Sequence, residues 1–357
     1  MTNRNSTIDV AKGIGIILVV FGHNWIVLHD KSELFRIIFS FHMPLFFFLA
    51  GIYLRGSDEL SHFLQVRASS LLKPYFVILT TVGVLKVLHA TVLGELGQQQ
   101  IDYFLGMIYG TGNTIIWMPM WFLPHLFITL AASLIILKAS SAGTNSRAWV
   151  AISATVLLVV GIHFMDAFWF PGVNDTNLIK VSGLPGLPWS ADLIPITSSL
   201  ILFGYLVGER VKSMTFNAAA FVFAAALFAS LHYYFDETID LNSRAYGTAL
   251  VTTIQAILGI YMSISVASFL QKYTLFRKSL GYIGAGSLFI LVFHGVLQDV
   301  AFRALAKINP HVYLNGIASL AVGLVLPLLL LALVKRNEIA AGLLLPRRAD
   351  VSSRHVE

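Results

Sequence analysis

An all-α, polytopic membrane bundle of about ten transmembrane helices is what this sequence predicts, on three observations. Of 357 residues, 57% are hydrophobic and only 12% charged, whereas a soluble domain carries roughly 45–50% apolar and 25% charged residues. The apolar residues gather into stretches of about 17 to 25, enough to cross ~30 Å of hydrocarbon as helix. The 24 Lys and Arg lie mainly between those stretches, and they are unequally divided between the two sides.

Taken in order, the predicted spans are 8–28, 38–54, 74–93, 121–138, 148–165, 192–208, 215–233, 247–270, 280–297 and 313–334. The first carries Asp9 and Lys12 and lacks a small-residue cleavage site, so it is expected to stay as a helix rather than leave as a signal peptide. The stretch 101–120 is also apolar, but Gly106, Gly110, Gly112 and Pro119 interrupt it. It reads as a lumenal or partly re-entrant loop, with an eleventh span as the rival. The connection 166–191, rich in Pro and Gly, is long enough to be a lid or acceptor contact. Ten spans place both termini on one side. With that side cytoplasmic, sixteen cations lie inside and six outside (Lys31, Arg36, Lys180, Arg244, Arg303 and Lys307), while Lys12 and Lys86 fall within spans. The chain divides into a single transmembrane domain, 1–334, and a basic cytoplasmic tail, 335–357.

Composition narrows the function classes. Cysteine is absent, so disulfides, thiolate catalysis and cysteine metal sites are excluded. The net charge of +6 follows from basic inner loops and needs no nucleic acid partner. The two halves share no visible repeat, which weighs against a transporter built from inverted repeats.

Chemistry is carried by polar residues inside the spans. Lys12 and His23 are eleven residues apart; at about 100° per residue this is roughly 1100°, close to three whole turns, so on one continuous helix both face the same way. Asp9 shares that face, where it can keep Lys12 charged or favour the helix start. A charge at mid-membrane costs about 2.5 kcal/mol or more, and such residues usually line a pathway. His42, His125 and His294 fall at a similar outer depth in other spans, predicting a layer of four histidines. Trp121 reads as an interfacial aromatic.

These residues also carry a resemblance. The run Ile8-Asp9-Val10-Ala11-Lys12-Gly13 through Gly22-His23 resembles the opening signature of the acyltransferase family 3 membrane proteins: a basic residue, ten residues, then histidine. Phe39 through Gly51 with His42-Met43-Pro44, Arg67 through Tyr75, and Trp121-Phe122-Leu123-Pro124 are similar to the same family in the same order. They are closest in kind to its branch resembling fucose 4-O-acetylase and exopolysaccharide acetyltransferases.

The resemblance implies a membrane O-acyltransferase of the bacterial inner membrane. It would move acetyl from cytoplasmic acetyl-CoA, with no metal, to a sugar hydroxyl of a surface polysaccharide or lipid-linked oligosaccharide. Carried over by position, Lys12 and His23 are the family's basic residue and histidine. Arg67 lies where many members place two arginines three apart in an inner loop; position 70 here is serine. Lys12, Arg67 and Lys73 would meet the acyl-CoA phosphates, and His42, His125, His294 and Trp121 the acceptor. His23 would act either as general base or as acyl carrier, assisted by Lys12 and Asp9. The rival class is a proton-coupled transporter or exporter of an envelope component, using the same buried residues.

Overall fold

The computed structural model describes residues 5–29, 33–140, 146–165, 168 and 186–346. In chain order the helices are α1 (Ser6–Gly22), α2 (Trp25–His29), α3 (Glu33–Phe39), α4 (His42–Gly51), α5 (Leu60–Arg67), α6 (Lys73–Leu93), α7 (Gln98–Tyr109), α8 (Phe122–Ser140), α9 (Ser146–Met165) and α10 (Ile194–Lys212). There follow α11 (Ala218–Tyr234), a two-stranded antiparallel ladder of β1 (Ile239–Asp240) and β2 (Ala245–Tyr246), then α12 (Ala249–Leu270), α13 (Thr274–Ala285), α14 (Ser287–Ala306), α15 (Val312–Arg336) and α16 (Glu338–Leu344). Among the described residues, eight helical segments are at least 18 residues long and apolar enough to cross a membrane. α1 and α11, at 17 residues each, are the remaining counterparts of the ten apolar stretches. The chain is a helical, multi-pass membrane protein.

Three expectations are corrected. The first apolar stretch is not one continuous helix: α1 ends at Gly22 and α2 starts at Trp25. Arg67 is not in a loop, because α5 continues through a π-helical turn at Ala68–Leu72 into α6. Charge marks the membrane boundary there, but Phe63, Val66 and Leu71 are buried and keep the backbone helical across it. The ninth span lies later than 280–297, since α13 stops at Ala285 and the long helix is Ser287–Ala306. The stretch 101–120 gives α7, whose 12 residues extend only about 18 Å, followed by a left-handed turn at Gly110 (φ +69°). Of the proposed lid at 166–191, residues 166, 167 and 169–185 lie outside the described set, as does the tail from 347.

The described chain forms two compact units. The first comprises Met1–Tyr53, Phe203–Leu241 and Ala245–Ala332. α1 lies at its centre against α13, α12, α14 and α4. Asn5 caps α1, its side chain accepting from the Ile8 amide, and Asp9 in the first turn suits the positive end of the helix dipole. Ile8, Val10 and Ala11 join Leu45, Leu49, Ile264 and Ala267 in the core. Without a hydrophobic drive between lipid-immersed helices, close contact depends on small residues. A Cβ at Gly13 would stand 2.2 Å from the Leu280 carbonyl oxygen, and one at Gly284 would stand 2.1 Å from that of Asp9. Gly284→Ala is therefore expected to destabilise by about 1–3 kcal/mol through overpacking, read as a lower melting temperature in detergent. Gly281→Ala, on the same helix with open space around it, is the control, with its melting temperature unchanged or slightly raised.

The second unit comprises Leu54–Leu202, Asn242–Arg244 and Leu333–Glu357. Here α5 and the π turn pack on α8, α7 packs on α6, and α9 packs on α8. Tyr75 donates to the Met107 carbonyl at 2.6 Å and Tyr103 to that of Leu79 at 2.8 Å, fixing α7 against α6. At Pro188–Leu193 a short 3-10 segment turns sharply, with Trp189 and Ser190 both left-handed (φ +57° and +55°). That strain is held by a buried ion pair: Arg244 Nε and Nη2 donate to Asp192 Oδ2 and Oδ1 at 3.0 and 3.1 Å, with both side chains at most 2% exposed.

Candidate functional site

The site in the first unit is built around the interruption of α1. His23 leaves the helical path at φ −96°, ψ 7°. In a regular helix the Asn24 amide would donate to the Val20 carbonyl; here it donates to Phe21 at 2.9 Å. Asn24 then opens α2, because its Oδ1 accepts from the Ile26 amide at 3.1 Å and its carbonyl accepts from Val27 and Leu28. Its Nδ2 donates to Gln298 Oε1 at 2.7 Å, the Gly316 carbonyl at 3.0 Å and Ser319 Oγ at 3.2 Å. Gln298 Nε2 donates to the Val20 carbonyl at 3.0 Å.

Three histidines meet at this interruption. The His23 ring centroid is 5.3 Å from that of His294 and 6.4 Å from that of His42, both edge-on, with Phe39 at 5.6 Å. His42 and His294 are buried, at 2% and 0% exposure; His23 is the half-buried member. Each ring is anchored in the same way. His23 Nδ1 faces the Val19 carbonyl at 2.9 Å, His42 Nδ1 that of Ile38 at 2.8 Å, and His294 Nδ1 those of Leu291 and Ile290 at 2.8 and 3.1 Å. A carbonyl only accepts, so Nδ1 carries the hydrogen in each neutral ring and Nε2 holds the lone pair. His294 Nε2 is buried with no protein hydrogen-bond partner among the described residues. No group of three or more His, Cys, Asp or Glu among the described residues is placed to hold a metal ion.

Lys12 and Asp9 stand earlier on the same helix as His23. Lys12 is about 16 Å from His23 along α1, and its Nζ lies 5.4 Å from the Tyr53 ring centre. Asp9 is one turn earlier still. His42 begins α4, but its side chain serves the preceding helix by holding the Ile38 carbonyl near the end of α3, rather than capping its own. In the second unit, Arg67 lies over the Phe63 ring at 4.9 Å. Lys73 donates to the carbonyls of Gly342, at 2.8 Å, and Leu345. Of the four histidines expected in one layer, His23, His42 and His294 meet in the first unit; His125 is described within the second. Its Nδ1 faces the Trp189 carbonyl at 3.2 Å, its Nε2 lies 3.3 Å from Thr129 Oγ1, and Trp121 stacks on it at 5.5 Å.

Sequence reading missed Asn24, Gln298 and Ser319. Asn24 was visible as a polar residue beside His23, and Gln298 stands four residues after His294 on the same helix face.

A half-buried imidazole with a free lone pair, beside two buried rings inside a membrane bundle, defines a site suited to proton transfer or nucleophilic attack. Residues 5–336 match the acyltransferase domain model of acyltransferase family 3, and the chain belongs to that family. No curated protein matches the chain, and no solved structure does.

Proposed function

We propose that this membrane acyltransferase moves acetyl from cytoplasmic acetyl-CoA to a sugar hydroxyl of a cell-surface polysaccharide or its lipid-linked precursor. In this reading it resides in a bacterial inner membrane with both termini cytoplasmic, and residues 1–334 act as one catalytic domain followed by a basic tail. The acceptor chemistry resembles that of the fucose 4-O-acetylase branch. The observation that carries the reading is the His23 ring, anchored through Nδ1 at a helix interruption and flanked by His42 and His294.

His23 Nε2 takes the proton of the sugar hydroxyl as its oxygen attacks the thioester carbonyl. The C–S bond then breaks, and the CoA thiolate recovers that proton from the imidazolium, leaving an O-acetyl ester, free CoA and neutral His23. The same nitrogen could instead accept the acetyl group first and pass it to the sugar; acetyl label retained on the protein after rapid quenching separates the two routes. Lys12, Arg67 and Lys73 are assigned to the donor phosphates, Asp9 to keeping Lys12 charged, and His42, His125, His294 and Trp121 to the acceptor.

Labelled acetyl-CoA supplied to membranes with and without the protein tests the reading, together with mass spectrometry of the envelope glycans. Label in a glycan only when the protein is present is expected. Solute movement across the membrane with no acetylated product would replace this reading with a transporter.

A further inference from the structure

We propose that Asn24 and Gln298 are positioning residues that hold α1 open at His23 and so aim its ring at His294 and His42. The proposal rests on the reading of His23 as the reacting group. The chemistry of the interruption supports it. When the Asn24 amide turns to Phe21, the Val20 carbonyl loses its helical donor at a fully buried residue. A buried carbonyl without a donor is costly. Gln298 Nε2 supplies that donor from α14. Its Oε1 accepts from Asn24 Nδ2, which also donates to α15 through the Gly316 carbonyl and Ser319 Oγ.

Asn24, Gln298 and Ser319 are at most 4% exposed, so water does not substitute for these bonds. His294 and Gln298, one turn apart on α14, address the same interruption, one through its ring and the other through its amide. Without Gln298, the cheapest way to satisfy Val20 is for the Asn24 amide to return to it. α1 would then continue regularly through His23 and carry the ring to another direction.

The test compares Asn24→Ala, Gln298→Ala and the double variant with the wild type in native membranes, alone and combined with His23→Ala. Each single variant is expected to lower kcat by about 10- to 100-fold, as about 1 Å of misplacement does, with KM for acetyl-CoA within about twofold. The double variant is expected to lose little more than either single one. In the His23→Ala background, Gln298→Ala is expected to remove none of the residual activity. Should the alanine variants accumulate poorly, Gln298→Met retains most of the volume but has no N–H to donate to Val20; it is expected to lose about tenfold in kcat at wild-type protein level. A rise in KM at unchanged kcat, or a further loss in the His23→Ala background, would overturn the proposal. Full activity of Gln298→Ala beside inactive His23→Ala overturns the proposal alone, whereas full activity of His23→Ala removes the reading beneath it.

Discussion

Replacement of His23 by alanine is expected to lower acetyl transfer roughly 10²- to 10⁴-fold, the range a positioned general base contributes. The loss belongs in kcat, because the donor phosphates are assigned to Lys12, Arg67 and Lys73 rather than to His23. Stability is expected to change little. The Val19 carbonyl that faces His23 Nδ1 also accepts the His23 backbone amide at 3.1 Å, so truncating the ring leaves no buried group unpaired. His23→Gln keeps a polar side chain but no basic nitrogen and is expected to be as inactive as alanine. Turnover of labelled acetyl-CoA at matched protein levels decides the matter. Activity within about twofold of wild type would end the assignment of His23.

Asp192→Ala is expected to be the most destabilising single change in the second unit. Removing one member of a buried ion pair leaves the other uncompensated, at a cost of about 3–5 kcal/mol. Among the described residues Arg244 would keep its bond to the Asn242 carbonyl at 2.8 Å alone, and the Leu187 amide would lose its acceptor on Asp192. Thermal melting in detergent measures the effect. The double variant Asp192→Leu with Arg244→Met is expected to recover part of the loss, since apolar replacement removes both desolvated charges. A functional consequence follows from the backbone: the left-handed Trp189 supplies the carbonyl that faces His125 Nδ1. Loosening that turn is expected to raise KM for the acceptor before it changes kcat. An Asp192→Ala protein that melts with the wild type would show the pair to be energetically idle.

Much of the architecture was legible because hydrocarbon tolerates little variety. Only helices and closed barrels satisfy their backbone in lipid, so apolar stretches of span length named the membrane helices, and the ionisable residues within them drew attention to His23, His42 and His294, whose rings meet. The errors lie where apolar content no longer decides. Residues 8–28 are apolar throughout except for a few positions, yet α1 stops at Gly22, because Gln298, 274 residues beyond Asn24, supplies the donor that lets it stop. Arg67 reads as a loop residue by charge, whereas burial of its neighbours keeps it helical.

The sequence by itself determined the class of protein, the family and the titratable residues in its membrane, because length, hydropathy and motif spacing are local properties of the chain. Only the tertiary structure decided that the rings of His23, His42 and His294 meet, that their Nδ1 hydrogens face main-chain carbonyls, and that His23 stands at an interruption rather than inside a helix. The reason is physical: direction and tautomer depend on where distant carbonyls and amides find their partners, and no periodicity along one helix records the donor that arrives from another.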